Sequence, residues 1–201
     1  MTTFSILTVC TGNICRSPMA QQLIENGVKA IESVTVSSAG TGALVGQPMT
    51  NQAQAIAREL GATDPSAHVA RSLTLDHLRE ADLVLALSRE HRRAIVEMLP
   101  RAARHTFTLR EFARLLVDVD NDDFDSIGAL AADDVPGRLA ELVEIAASRR
   151  GAVLPPSSPD DDDVIDPYRR DDATYRASAD QIVPAVGVLL AEFERAMGAR
   201  V

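Results

Sequence analysis

The stretch F-S-I-L-T-V-C-T-G-N-I-C-R-S-P, Phe4 to Pro18, decides the reading of this chain. Phe4 to Val9 is short, apolar and β-branched, the pattern of a buried strand. It runs straight into a glycine turn with Cys10 at its mouth, Arg16 six residues later, and then Ser-Pro. Ser17 at the cap and Pro18 at the first helical position predict a helix start. Met19, Leu23, Ile24 and Val28 supply that helix's apolar stripe.

The same alternation continues outward. Val34 to Ser38 reads as a second strand, Thr50 to Leu60 as a helix stopped by Gly61, Leu83 to Leu87 as a third strand, and Arg89 to Leu99 as a helix ending at Pro100. His105 to Leu109 is a fourth strand candidate and Arg110 to Val117 a short helix. The expectation is an α/β fold, a three-layer sandwich with a parallel sheet flanked by helices and a phosphate-binding loop after the first strand. Reactive groups in such folds gather at the carboxyl ends of the strands, where Cys10 lies.

Beyond Val117 the composition changes. Asp118 to Asp125 is acidic, Val135 to Arg150 is helical in pattern, and Gly151 to Asp163 is a Pro, Ser and Asp stretch ending D-D-D-D that reads as a mobile loop. Ala173 to Met197 is a long helix that Pro184 should kink. The whole, 1–201, is taken as a single domain with an insertion at about 119–163.

Bulk properties narrow the classes. Hydrophobic residues are 46% and aromatics 3%, so the core must be aliphatic. The formal charge of −9 disfavours nonspecific binding to nucleic acid or anionic membranes. Two cysteines, Cys10 and Cys15, cannot make a disulfide framework, and no apolar run reaches the ~18–20 residues of a membrane span. These features predict a soluble cytoplasmic protein without nucleic-acid binding or membrane insertion.

A strand-turn-helix with a cysteine at the strand end is a phosphate cradle holding a nucleophile. Amides of Thr11, Gly12, Asn13, Ile14 and Cys15 can form an anion nest, and the next helix adds its N-terminal partial charge. Gly12 is expected to let the backbone bend. The same field favours ionised sulfur, so Cys10 is expected as a thiolate able to attack phosphorus. Arg16 offers a planar fork for two phosphoryl oxygens, and Ser17 a hydrogen bond to the sulfur. A buried structural thiol, a metal pair and a Walker loop fit less well: Cys-x4-Cys lacks further ligands, and Gly-Lys-Ser/Thr is missing. No metal or organic cofactor is implied.

C-T-G-N-I-C-R-S-P resembles the signature of the low-molecular-weight protein tyrosine phosphatases. The resemblance extends through S-S-A-G-T, A-H-V-A-R-S-L and A-D-L-V-L-A-L-S-R-E-H, and resumes at D-P-Y-R. It implies a four-stranded parallel sheet. It also implies hydrolysis of phosphotyrosine through a cysteinyl-phosphate, with Cys10 as nucleophile, Arg16 as phosphate clamp and Asp166 of D-P-Y as general acid and base. Pro167 keeps Asp166 extended. Tyr168 would form one wall of the ring slot and Leu44 the other. That loop resembles bacterial members acting in exopolysaccharide control, which suggests a phosphotyrosine protein such as a bacterial tyrosine kinase as partner and inorganic phosphate as product. Asn13, Ser38 and His68 match positions that brace the phosphate loop. Cys15 matches one that can pair with the nucleophile on oxidation. Two rivals are arsenate reduction with an external thiol cofactor and a non-catalytic phosphopeptide-binding protein. The acidic run Asp160 to Asp163 is expected to bias selection against acidic peptides.

Overall fold

The computed structural model describes residues 3–198. Four parallel strands, β1 (Phe4–Cys10), β2 (Val34–Gly40), β3 (Leu83–Ala86) and β4 (Thr106–Thr108), lie in the order β2-β1-β3-β4. The right-handed logic of strand-helix-strand connections places β1 in the centre, flanked by β2 and β3. Eight α-helices complete the described chain: α1 (Arg16–Val28), α2 (Asn51–Glu59), α3 (Leu75–Glu80), α4 (Arg89–Met98), α5 (Leu109–Leu116), α6 (Asn121–Gly128), α7 (Val135–Ser148) and α8 (Asp172–Ala196).

The two-residue period of a strand sorts β1 between two cores. Phe4, Ile6 and Cys10 face the larger one, with α1, α2, α5, α6, α7 and α8. Leu7 and Val9 face the smaller one, with Leu78 of α3 and Ile95 of α4. Cys10 therefore points toward α1, the helix that its own loop leads into. Phe193 of α8 meets Phe4 edge-on at 6.0 Å, and Phe107 of β4 meets Phe112 of α5 at 4.8 Å. Sheet faces covered on both sides explain why the strands read as near-continuous apolar runs.

Two sequence expectations change, and two further stretches gain definition. The first helix begins at Arg16, with Cys15 at its cap and no side-chain capping bond. Ser17 lies inside it, because its hydroxyl is committed to Cys10 and Asn13 instead. The acidic stretch after Val117 folds as α6, where Asp120 and Asp123 form a reciprocal capping box. Residues Pro159–Asp162 form a 3-10 turn rather than a loose loop. α8 continues through Pro184.

Segment 119–163 shares the larger core. Ile127 of α6 and Leu139, Leu142, Val143 and Ala146 of α7 are buried in it. Arg138 of α7 is also buried, and it donates to the carbonyls of Ala131, Leu130 and Ala196. It satisfies chain-end carbonyls that helices leave unpaired.

Candidate active site

The loop from Cys10 to Arg16 is shaped from outside. The Cys10 carbonyl accepts from Thr41 N–H at 2.9 Å, Thr11 from Gly42 at 3.0 Å, Gly12 from Leu44 at 3.0 Å and Ile14 from Thr50 at 3.0 Å. The Asn13 carbonyl accepts from His68 Nε2 at 2.7 Å, so Nε2 carries the proton. Five successive carbonyls are thus turned outward, and a peptide unit with its C=O outward turns its N–H in. That is the construction of an anion nest.

The sharp bend sits at Asn13, whose φ is 56°, and not at Gly12. Asparagine tolerates the left-handed region because its side chain can bond locally. Here Asn13 Nδ2 donates to Ser17 Oγ at 3.0 Å and to Ser38 Oγ at 2.9 Å, while Oδ1 accepts from Arg71 N–H at 2.9 Å. Asn13, Ser38 and His68 thus lie in one hydrogen-bonded network around this loop. Burial holds the His68 imidazole below its usual pKa, against the opposing pull of the Asn13 carbonyl.

Cys10 Sγ is buried and lies 3.0 Å from Ser17 Oγ, with Asn13 N–H donating to it at 3.3 Å. Arg16 is buried at the loop's far end. One guanidinium nitrogen donates to the Val164 carbonyl at 3.2 Å, and the other pairs with Asp166 Oδ2 at 3.0 Å. Asp166 is half-exposed, and Tyr168 N–H donates to its other oxygen at 3.2 Å. One pocket of about 130 Å³ is lined by Cys10, Thr11, Gly12, Ile14, Cys15, Arg16, Gly42, Leu44, Asp166 and Tyr168. A larger hollow of about 390 Å³ beside α1 contains His68 but neither cysteine, so chemistry rather than size locates the site.

Cys15 Sγ is directed toward Thr50 Oγ1 at 3.5 Å and the Tyr175 hydroxyl at 3.7 Å. Burial pushes the Cys15 thiol up, and burial likewise pushes the Tyr175 phenol up to about 12. Both cysteines are free thiols. Among the described residues, no group of three or more His, Cys, Asp or Glu is arranged to hold a metal ion.

One contributor escaped the sequence reading. His91 of α4 is buried; its Nε2 lies 2.8 Å from Thr11 Oγ1 and its Nδ1 2.8 Å from Ser88 Oγ. Burial, then the charge of Arg16, lower its pKa to about 4, against the opposing pull of Asp166 and Asp163. It is a neutral hydrogen-bonding strut from α4 to the loop. In the sequence it stood at the end of A-D-L-V-L-A-L-S-R-E-H, three residues after a Ser helix cap, with no role attached to it.

The low-molecular-weight phosphotyrosine protein phosphatase family model matches residues 5–130. The chain belongs to that family. A protein-arginine-phosphatase of Geobacillus stearothermophilus is 40% identical over 125 residues, covering 62% of this chain and 80% of the relative. A low-molecular-weight protein-tyrosine-phosphatase of Acinetobacter johnsonii is 37% identical over 105 residues, covering 52% of this chain and 71% of the relative. Among solved structures, the Geobacillus stearothermophilus arginine phosphatase superposes with a TM-score of 0.66 at 29% identity, covering 95% of this chain and 93% of that one. The family assignment makes this chain a phosphatase, and the four-stranded α/β architecture agrees. Among the described residues no helix is long and apolar enough to cross a membrane.

Proposed function

We propose that this phosphatase hydrolyses phosphotyrosine with Cys10 as nucleophile, Arg16 as clamp and Asp166 as proton donor and acceptor. The observation that carries it is the single pocket holding Cys10 Sγ, the Arg16 guanidinium and the Asp166 carboxyl, with Arg16 and Asp166 3.0 Å apart. The Cys10 thiolate attacks phosphorus and the ester P–O bond breaks. Protonated Asp166 gives its proton to the departing phenolate. Ionised Asp166 then takes a proton from water, whose oxygen attacks phosphorus; the S–P bond breaks and inorganic phosphate leaves. Inward amides of Thr11 to Cys15 and the Arg16 fork meet the charge on the transferring group. Ser17 donates to the sulfur as it departs.

The leaving group is where a relative's named activity differs, since the Geobacillus stearothermophilus relative is a protein-arginine-phosphatase. Ile14, Leu44 and Tyr168 line the mouth, and apolar walls suit a flat ring better than a guanidinium that needs acceptors. The protein substrate is taken as a phosphotyrosine-bearing polypeptide such as a bacterial tyrosine kinase, encountered in the cytoplasm. The same reading takes the chain as one domain with an insertion at about 119–163. In support of one domain, α6 and α7 share the larger core.

Turnover of phosphotyrosine and phosphoarginine peptides decides the substrate. Preference for phosphotyrosine by tenfold or more in kcat/KM is expected; the reverse order would overturn that assignment. Cys10→Ser should abolish turnover yet still bind phosphate. Asp166→Asn should lower kcat/KM by about 10²-fold or more for phosphotyrosine, and far less for an aryl ester with a strongly acidic phenol. Arsenate-dependent thiol oxidation in place of ester cleavage would point to the reductase alternative.

A further inference from the structure

The acidic run ahead of Asp166 is occupied by contacts of its own. Arg89 pairs with Asp160 at 2.5 Å and with Asp163 at 3.0 Å, and Arg114 pairs with Asp162 at 3.0 Å. Asp161 accepts from Ser158 N–H at 2.9 Å. Arg89 and Arg114 offset only part of the run's charge, and Asp160 stays largely exposed, so a net negative field remains.

Asp163 differs from the other three in where it is held. Its Oδ1 accepts from the backbone N–H of Arg89 at 2.6 Å, the first residue of α4, where a helix of ten residues favours an anion. The Arg89 side chain grips the same carboxylate from Nε at 3.3 and 3.2 Å. Arg110 donates to the Asp163 carbonyl at 2.9 Å. The next residue closes the seam: Val164 N–H donates to the Leu87 carbonyl at 3.0 Å, and the Val164 carbonyl accepts from Arg16 at 3.2 Å. Ile165 N–H donates to Gln181 Oε1 at 2.8 Å. The backbone is therefore tied down at each residue from 163 to 165, and the next residue is Asp166.

We infer that Asp163, clamped on the N-terminus of α4 and on the Arg89 side chain, is a positioning residue that sets the reach of the Asp166 carboxyl toward the leaving oxygen. Asp163 does not touch the phosphate loop. It acts on Asp166 through three peptide units, the first of which leads to Val164, whose carbonyl accepts from Arg16. A carboxyl that must deliver a proton to one oxygen is sensitive to displacement by an ångström or so. The inference rests on Asp166 being the acid.

The test compares kcat/KM for two esters, because this constant ends at release of the first product. Phosphotyrosine has a poor leaving group that needs the proton; an aryl phosphate with a strongly acidic phenol does not. Asp163→Ala is expected to lower kcat/KM on phosphotyrosine by about tenfold or more, and on the acidic-phenol ester by less than about threefold. Inhibition by inorganic phosphate should stay within about twofold, since the loop amides do not touch Asp163 and Val164, which orients Arg16, keeps its own bond to the Leu87 carbonyl. Asp163→Asn keeps an acceptor for the Arg89 N–H and should recover part of the loss; it also carries the test if the alanine variant does not fold. Equal losses on both esters, or no loss on either, would overturn the inference. Asp166→Asn, measured alongside, separates the two readings: if it leaves the ratio of the esters unchanged, the acid assignment itself is wrong.

Discussion

Gly40, at the end of β2, is the residue whose replacement tests the loop architecture most sharply. A Cβ built there would lie 2.4 Å from the Thr11 carbonyl oxygen, 3.0 Å from Ala43 Cβ and 3.1 Å from Ala43 Cα. An unstrained C···O approach is about 3.3 Å or more. Gly40 cannot retreat, because its N–H donates to the Arg71 carbonyl at 2.9 Å and its own carbonyl accepts from Leu73 N–H at 2.8 Å. Gly40→Ala must therefore push the Thr11 carbonyl by about 1 Å, and Thr11 is bonded directly to Cys10. A displacement of that size at reacting groups can cost about 10²-fold in rate. Overpacking should also cost about 1–3 kcal/mol of stability. The assay is kcat/KM on an acidic-phenol aryl phosphate, with thermal unfolding measured alongside. Gly128→Ala serves as the control, since a Cβ there meets nothing within 4 Å. A folded Gly40→Ala enzyme within about twofold of the parent would refute the reasoning that this contact holds the loop in shape.

Two further predictions follow from the core and the strut. His91 has its folded pKa lowered to about 4, so it resists protonation that the unfolded chain accepts near 6.5. Its contribution is complete above pH 6.5 and is lost as pH falls toward 4; the gap corresponds to about 3 kcal/mol. Urea unfolding at pH 7 and pH 4.5 should show a smaller acid loss in His91→Gln than in the parent, and an equal loss would refute it. Phe107 is fully buried against Phe112, with the Arg150 guanidinium 3.8 Å from its ring centre. Phe107→Ala should cost about 3–5 kcal/mol, read as a lower urea midpoint with an unchanged slope.

Much of this molecule was legible locally. Strand and helix patterns placed β1 to β4, the Cys10-to-Arg16 spacing suggested a phosphate cradle, and Asp166 was singled out only by the family resemblance at D-P-Y. What was not legible depends on partners distant in the chain. Ser17 looked like a helix cap, because Ser-Pro is a strong local signal. Cys10 and Asn13, seven and four residues before it, took the hydroxyl instead, in a loop whose shape is set from farther away. Gly12 drew attention as the obvious hinge, while Asn13 took the left-handed turn with three side-chain bonds to sustain it. The D-D-D-D run looked like free charge, because Arg89 and Arg114 stand 71 and 48 residues away. The role of His91, the last residue of A-D-L-V-L-A-L-S-R-E-H, was hidden for the same reason: Thr11 is 80 residues distant.

The burial of α6 and α7 bears on any attempt to shorten this chain to the size of its compact relatives. Excising 121–162 would strip Ile127, Leu139, Leu142 and Val143 from the shared interior, and with them the Arg138 that ties off the carbonyl end of α8. The truncated protein would gain a greasy flank next to Phe107 and Phe193, prone to self-association. Miniaturisation of this enzyme is therefore a problem of resurfacing, in which polar side chains must be installed on α5 and α8 before any residue is removed.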